Sequence, residues 1–167
     1  MEMLIPDLKV IGPSKWLKEY NFWALYLGLS LAMSFLWMGI AKNFYKYNHN
    51  FMSILGISLF PLLGWTIGLF IVYAMFRFIY SGKERGYLVQ LLLFSIFYWL
   101  LLIAAETIGY HFFDIKNLAA ASYSGIPICD CLHTPAWMKV AYFSMGPLFF
   151  FMCFFINSYY SKTRSLV

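Results

Sequence analysis

The chain has 167 residues, of which 62% are apolar, 22% aromatic and only 11% charged, and its formal net charge is +5. An ordinary soluble domain carries about 25% charged residues, so this composition excludes a soluble globular protein. The twelve Lys and Arg residues are scattered beside apolar runs and form no basic stripe, which argues against a nucleic-acid partner. The length is that of one domain, and we predict a single transmembrane domain over residues 1–167.

Long apolar segments predict four membrane-spanning helices, at about residues 22–41, 51–78, 87–110 and 137–159. At about 1.5 Å per residue, each can cross a hydrocarbon core of about 30 Å. Backbone groups in lipid must be hydrogen-bonded within the protein, and no segment alternates as a barrel strand does. The predicted fold is therefore all-α, an integral membrane four-helix bundle with a long structured loop between helices 3 and 4.

Two features bear on how these helices pack. The second segment is longer than a span requires, so we expect it to tilt, to kink at Pro61, or both. Small residues lie four positions apart in three pairs: Ala24 with Gly28, Ser30 with Ser34, and Gly64 with Gly68. Such positions let helix backbones approach closely, which predicts packing inside the bundle, with homodimerisation through the Gly64 and Gly68 pair as the alternative.

Positive charges are distributed unequally between the two predicted sides of the membrane. Eight lie in the N-terminal segment, the middle connection and the tail: Lys9, Lys15, Lys18, Arg77, Lys83, Arg85, Lys162 and Arg164. Four lie on the opposite side: Lys42, Lys46, Lys116 and Lys139. The positive-inside rule then predicts that both termini are cytoplasmic. The charged first twenty residues, followed by a full-length span without a small-residue cleavage site, predict no cleaved signal peptide.

The stretch from Glu106 to Trp137 contains most of the unusual polar residues. It holds three of the seven acidic residues, two of the three histidines and two of the three cysteines. Glu106 is the only acid inside a predicted span, and ionisable residues in spans usually serve a function. The loop that follows is long, and its apolar and aromatic content argues against disorder. We predict that residues 115–133 fold over the mouth of the bundle.

Glu106, Asp130 and His133 are the predicted catalytic residues. Glu106 is flanked by small residues that leave space around its carboxyl, which suits a general acid. Asp130 and His133 lie three residues apart in a short turn, where they can form an oriented proton carrier. The alternatives are that Glu106 reaches the headgroups and that His133 only belongs to the turn before helix 4. Further residues are predicted to bind substrate or support the site: His111, Asp114, Asn117, Tyr123 and Trp137.

Cys129, Cys131 and His133 alternate, so in an extended backbone their side chains would point to one side. Such an arrangement is half of a metal site and needs a further ligand. The spacing differs from a Cys-x-x-Cys zinc knuckle, and oxidised or buried sulfurs are the alternative. We predict no metal, no haem and no other cofactor; if a metal does bind, these three residues are its ligands.

Motifs in the last third resemble two groups of small membrane enzymes that act on carotenoids. Glu106-x-x-Gly109, followed by Gly-Ile-Pro at 125–127 and Pro-Ala-Trp at 135–137, is similar to the pattern in carotenoid hydratases. The Pro-Ile-Cys-Asp at 127–130 resembles the Pro-x-Glu-Glu of lycopene cyclases, with Cys129 standing where those enzymes have an acid. The resemblance implies protonation of a carbon–carbon double bond in a polyene.

A third motif resembles the EXPERA group of sterol isomerases and sterol-binding receptors. It consists of His133-x-Pro135-x-Trp137 leading into an aromatic helix that contains Gly146 and Pro147. Helices 1 and 2 of this chain carry no acid or histidine to match that group's site. This resemblance implies protonation of a sterol double bond, with aromatic walls that stabilise the carbocation.

These observations predict a small integral-membrane enzyme of isomerase, hydratase or cyclase type, acting on an isoprenoid or similar lipid that enters from the bilayer. The alternative is a non-catalytic lipid- or quinone-binding subunit of a larger membrane complex, and a metal-dependent membrane oxidoreductase comes third. An enzyme requires the acids, His111 and His133 to converge on a cavity in the bundle. The expected partner is a membrane lipid or hydrophobic substrate, with a homodimer or a larger complex also open.

Overall fold

The computed structural model of the protein describes residues 20–80 and 86–164. Four helices make up most of this part of the chain: α1 Tyr20–Ala41, α2 Leu59–Ile79, α3 Tyr87–His111 and α4 Ala136–Arg164. Each is long and apolar enough to cross a membrane. Strands β1 (Ser53–Ile54) and β2 (Ile57–Ser58) form a small antiparallel hairpin between α1 and α2. The predicted all-α membrane fold is confirmed.

The second helix begins later than the sequence predicts, at Leu59 and not near residue 51. The residues before it form the hairpin, whose turn contains Leu55 and Gly56 with φ of 53° and 76°. Positive φ at both central residues is typical of the type I′ turns that close two-residue hairpins. Pro61 consequently lies in the first turn of α2, where a missing N–H breaks no helical hydrogen bond. The proline therefore gives no reason for the expected kink.

The helices pack as two pairs, with α1 along α2 and α3 along α4, while α2 and α3 contact each other much less. Aromatic side chains fill the middle of the bundle, where Tyr73, Phe94 and Phe149 are fully buried. The Tyr73 ring meets Phe149 edge-on at 5.7 Å between centroids, a favourable aromatic geometry. The sparse contact between α2 and α3 leaves a gap at membrane depth.

The small-residue pairs have different surroundings. Ser30 and Ser34 are fully buried on α1, and the Ser34 hydroxyl donates to the Ser30 carbonyl at 2.7 Å. Gly28 is exposed on the outside of the same helix. A Cβ at Gly64 or Gly68 would meet no other atom within 4 Å. The predicted packing of Gly64 and Gly68 inside the bundle is therefore wrong, because the space beside them is open.

Hydrogen bonds connect α3 to α4 where Pro147 interrupts the backbone hydrogen bonding of α4. Pro147 has no N–H, so the carbonyl of Phe143 four residues earlier loses its helical partner. The indole N–H of Trp99 donates to that oxygen at 2.7 Å. Beside it, the hydroxyl of Tyr98 donates to the carbonyl of Tyr142, also at 2.7 Å. These bonds satisfy backbone groups at membrane depth and fix α3 against α4.

The loop of residues 112–135 folds over the end of the bundle, as predicted. The Asn117 side chain ties it to the α1–α2 connection by accepting from the backbone N–H of Lys46 at 3.0 Å and donating to the carbonyl of Phe44 at 2.5 Å. Cys131 in the loop is fully buried. The loop is therefore an ordered part of the domain and covers the gap between α2 and α3 from one end.

Candidate functional site

A cavity of about 470 Å³ lies between α2 and α3 and ends beneath the loop. Its lining on α2 extends from Phe60 to Met75, a rise of about 22 Å along the helix, so the cavity is elongated. It is open at the side, because Ile71 and Met75 line it and are also 46% and 42% exposed. Its volume falls within the range of about 300–1,000 Å³ that is usual for small-molecule sites.

The two ends of the cavity differ in polarity. The end farther from the loop is lined by aliphatic and thioether side chains: Leu69, Ile71, Val72, Met75, Leu101 and Leu102. The loop-covered end contains the polar groups: Tyr45, Tyr47, Glu106, Asn117, His133, Thr134 and Tyr142. This shape and polarity suit an elongated amphiphilic molecule whose polar end lies under the loop.

Glu106 contributes a carboxyl to the polar end. It is partly buried, and among the described residues no side chain forms an ion pair or hydrogen bond with it. Four tyrosines line the same cavity as this carboxyl: Tyr45, Tyr47, Tyr98 and Tyr142. An ionisable group without a partner at this depth is expensive to keep and is typical of a functional site.

His133 lies in the same cavity wall. Its Nε2 is 3.2 Å from Oδ1 of Asp130, so the predicted pairing of these residues is present. The imidazole stacks on Tyr110 with 4.8 Å between ring centroids. Its other nitrogen, Nδ1, is buried without a hydrogen-bond partner in the described part of the chain, as is Oγ1 of Thr134. With the proton on Nε2 facing the carboxylate, Nδ1 of the neutral ring is a proton acceptor.

Asp130 itself does not line the cavity. Its side chain is 76% exposed and reaches the site only through His133. Asp130 has φ of 42°, and the turn around it directs the carboxylate outwards. The expectation that Glu106, Asp130 and His133 all meet in one cavity is therefore correct for two of the three residues.

The five supporting residues are also divided. Asn117 lines the cavity, whereas His111, Asp114, Tyr123 and Trp137 do not. His111 contacts the carbonyl of Cys129 through Nε2 at 2.8 Å. Asp114 pairs with Lys116 at 2.6 Å, and this hydrogen bond holds the pKa of the exposed carboxyl below its usual range.

Tyr123 and Trp137 lie at the surface, with exposed fractions of 40% and 45%. Trp137 packs edge-on against Phe44, 5.4 Å between centroids, and so helps to hold the start of α4 against the α1–α2 connection. Apart from Asn117, the supporting residues thus lie outside the cavity wall.

Cys129 and Cys131 form a disulfide. The backbone around them is not extended, since Ile126 pairs with Cys131 in a short bridge and both Asp130 and Leu132 have positive φ. The extended backbone that would align Cys129, Cys131 and His133 is therefore absent, and the alternative of oxidised sulfurs is the one that the structure has. Sulfurs joined in a disulfide are not thiolate ligands. Within residues 20–80 and 86–164 no group of three or more His, Cys, Asp or Glu could hold a metal ion.

The disulfide predicts how many cysteines react with a thiol reagent. Of the three cysteines, only Cys153 is free, and it is buried in α4. We expect protein denatured without reductant to take up one maleimide per chain, and protein reduced first to take up three, as measured by intact mass. Three adducts without reductant, on protein purified in air, would show that the loop cysteines are thiols.

The sequence did not single out the aromatic residues of the polar end, in particular Tyr45. Its hydroxyl accepts the indole N–H of Trp37 at 2.8 Å and that of Trp65 at 3.1 Å, and lies 2.7 Å from the hydroxyl of Tyr142. Burial raises the pKa of Tyr45 to about 12, so the hydroxyl stays protonated at neutral pH. With 6 Trp and 13 Tyr in the chain, nothing in the sequence distinguishes these four from the rest.

Comparison of the chain with models of known protein families, with curated proteins and with solved structures finds no match. The resemblances to carotenoid hydratases, lycopene cyclases and the EXPERA group stay predictions. What the protein does has to be inferred from its cavity.

Proposed function

We propose that the protein is a small integral-membrane enzyme that protonates a carbon–carbon double bond of an isoprenoid or similar lipid, in an isomerase, hydratase or cyclase reaction. The observation that supports this is the unpaired carboxyl of Glu106 in an elongated cavity that opens sideways between α2 and α3. A lipid can enter through this opening without leaving the bilayer. Its apolar chain then lies against α2, and its reacting end lies under the loop.

The walls of the cavity suit a cationic intermediate. Protonation of a double bond by Glu106 leaves a carbocation on the lipid and a carboxylate on the protein. Aromatic faces attract cations, and seven aromatic residues line the cavity: Tyr45, Tyr47, Phe60, Trp65, Tyr98, Tyr110 and Tyr142. The carboxylate left on Glu106 also stabilises the intermediate.

The second half of the reaction needs a proton acceptor. The cation loses a proton from a neighbouring carbon in an isomerisation or cyclisation, or adds water, which then loses a proton, in a hydration. The Glu106 carboxylate left by the first step can take up that proton, because it lines the cavity, whereas Nδ1 of His133 is too buried to contact the lipid. Transfer of a proton back to Glu106 completes the cycle, with no oxidant or reductant consumed.

A Glu106→Gln variant tests the proposal, because the amide keeps the shape of the carboxyl and removes its acidic proton. Protein in nanodiscs would be incubated in D2O with a panel of polyenes, sterols and isoprenoid alcohols. An acid-initiated enzyme places solvent deuterium on carbon, which mass spectrometry of the extracted lipids detects. General acids contribute about 10²- to 10⁴-fold to rate, so we expect the Glu106→Gln variant to lose at least about a hundredfold in deuterium incorporation while retaining bound lipid.

Asp114→Asn is the matched control, since Asp114 is an exposed carboxyl outside the cavity and its loss should leave incorporation unchanged. Equal incorporation by wild type and Glu106→Gln would contradict the acid role. Lipid bound without any incorporation by wild type would instead support the alternative, a lipid- or quinone-binding subunit of a larger complex.

We also propose that the loop-covered end faces the non-cytoplasmic side and that both termini are cytoplasmic. The eight-to-four distribution of positive residues supports this orientation. Five of the eight lie outside the described residues: Lys9, Lys15, Lys18, Lys83 and Arg85. The N-terminal segment, on which the prediction of no cleaved signal peptide depends, also lies outside them. The disulfide at the loop-covered end is a second support, because disulfides persist in oxidising compartments.

A cysteine introduced at the C-terminal tail measures this orientation. Cys153 is buried and the other two cysteines are bonded, so the new thiol has no competitor for the reagent. We expect a membrane-impermeant maleimide to label it only after the cells are permeabilised. Labelling of intact cells would reverse the assignment of the two faces.

A further inference from the structure

We infer that Tyr142 donates a hydrogen bond into the cavity and thereby selects lipids that carry an oxygen atom, an alcohol, ketone or quinone, over pure hydrocarbons. The inference rests on the proposed function only in taking the cavity to be the binding site of a lipid, and it does not require catalysis by Glu106. It follows from where the hydroxyl protons at the polar end of the cavity must lie.

The direction of the hydrogen bond between Tyr45 and Tyr142 is fixed by the groups around Tyr45. A phenol has one proton to donate and two lone pairs that accept, whereas an indole N–H can only donate. The indoles of Trp37 and Trp65 occupy both lone pairs of the Tyr45 oxygen, at 2.8 and 3.1 Å. The Tyr45 proton is left for the Tyr142 oxygen, 2.7 Å away.

Tyr142 is consequently an acceptor in that bond, and its own proton is left over. No other acceptor in the described part of the chain forms a hydrogen bond with this hydroxyl. The side chain is only 3% exposed, and it lines the cavity. A buried donor without a partner is unfavourable, so a ligand that supplies an acceptor to Tyr142 gains affinity.

The neighbouring Tyr98 shows why this property belongs to Tyr142. Tyr98 lines the same cavity and is buried to the same degree, also 3% exposed. Its proton is already donated to the carbonyl of Tyr142 at 2.7 Å. Two tyrosines of equal burial in one cavity wall therefore differ in whether the hydroxyl proton is available to a ligand.

The position of the donor indicates what kind of ligand it meets. Tyr142 lines the same cavity as Glu106 and forms no hydrogen bond with its carboxyl. A hydroxyl or carbonyl oxygen of a lipid can accept from Tyr142 while the adjacent carbons approach Glu106. A hydrocarbon chain would leave the Tyr142 donor unsatisfied and so binds less well.

Two probes with the same carbon skeleton test this preference, the alcohol farnesol and the hydrocarbon farnesene. Tritium-labelled probes would be equilibrated with protein in nanodiscs, and retention on empty nanodiscs subtracted. One hydrogen bond to a buried donor corresponds to about tenfold in affinity. We expect wild type to prefer farnesol about tenfold, and Tyr142→Phe to lose that preference while its affinity for farnesene stays within about twofold of wild type.

Tyr98→Phe is the matched control and should keep the preference for farnesol, since its hydroxyl is not available to a ligand. A second measurement uses wild type alone and does not depend on the folding of Tyr142→Phe. Farnesyl methyl ether accepts a hydrogen bond but cannot donate one, so wild type should prefer it over farnesene as it prefers farnesol.

The inference is overturned if Tyr142→Phe keeps the farnesol preference, if wild type retains farnesyl methyl ether no better than farnesene, or if neither farnesol nor farnesene is retained by wild type. The last result would also remove the cavity as a lipid site and with it the proposed function. A farnesol preference that depends on Tyr142, in protein that incorporates no deuterium, would support the inference while the catalytic proposal fails.

Discussion

Replacing Gly146 with alanine should destabilise the protein more than the same substitution at any other described glycine of the four helices. A Cβ at this position would lie 2.3 Å from the ring of Tyr98, far inside van der Waals contact. Tyr98 cannot easily move, because it is buried and its hydroxyl is bonded to the carbonyl of Tyr142. Overpacking of this kind costs about 1–3 kcal/mol, and thermal unfolding in detergent should show a lower midpoint.

Gly39→Ala is the control for this prediction. Gly39 lies in α1, and a Cβ there would meet no atom within 4 Å. Alanine is a better helix former than glycine, so Gly39→Ala should leave stability unchanged or raise it slightly. An unchanged unfolding midpoint for Gly146→Ala would mean that α3 and α4 do not approach as closely as the geometry requires. A lowered midpoint that Tyr98→Leu partly restores would identify the tyrosine ring as the obstacle.

The number and type of the membrane helices could be predicted because a span needs only length and apolar composition. The start of α2 could not, because residues 51–58 are as apolar as the helix that follows and therefore read as part of it. The hairpin turn also lacks the usual sequence signal, since leucine rarely adopts positive φ and Leu55 does so here. Composition alone does not separate a short hairpin from a helix in such a segment.

Sequence reasoning identified those candidate residues whose type or spacing in the chain is informative by itself. Asp130 and His133 are three residues apart, and Glu106 is the only acid inside a span, so their types and spacing were informative. The residues of the cavity wall could not be predicted, because they depend on which face of each helix points into the bundle. A membrane helix can be apolar on every face, so its periodicity does not show that Tyr45 and Tyr142 meet.

The backbone conformation around the Cys129–Cys131 disulfide could also not be predicted from the sequence. Alternating Cys129, Cys131 and His133 would share one side only if the backbone were extended. Positive φ at Asp130 and Leu132 breaks the alternation. Aspartate adopts this conformation more readily than most residues, but leucine rarely does, so the sequence does not indicate the turn. Gly125 makes the turn possible, because a Cβ there would come within 3.0 Å of the side chains of Asp130 and His133.

Replacing Gly68 with leucine should remove bound lipid while leaving the fold intact. Gly68 lines the cavity on α2, and the space beside it is open, so a leucine side chain can occupy the path of the lipid without clashing with the protein. A lipid that lies along α2 would lose this stretch of the cavity. We expect at least a tenfold reduction in lipid retained per protein, measured by mass spectrometry of extracts, with helix content and unfolding midpoint close to wild type.

Gly28→Leu is the matched control for the cavity block. Gly28 is an exposed glycine of α1, and a Cβ added there would also meet no atom within 4 Å. Unlike Gly68, it does not line the cavity. Equal lipid loss in both variants would point to a general effect of added leucine on the membrane surface. Retention of lipid by Gly68→Leu at the wild-type level would show that the lipid binds elsewhere, because no elongated ligand can share that part of the cavity with a leucine. Loss confined to Gly68→Leu, together with loss of deuterium incorporation, would place binding and chemistry in the same space beside Glu106.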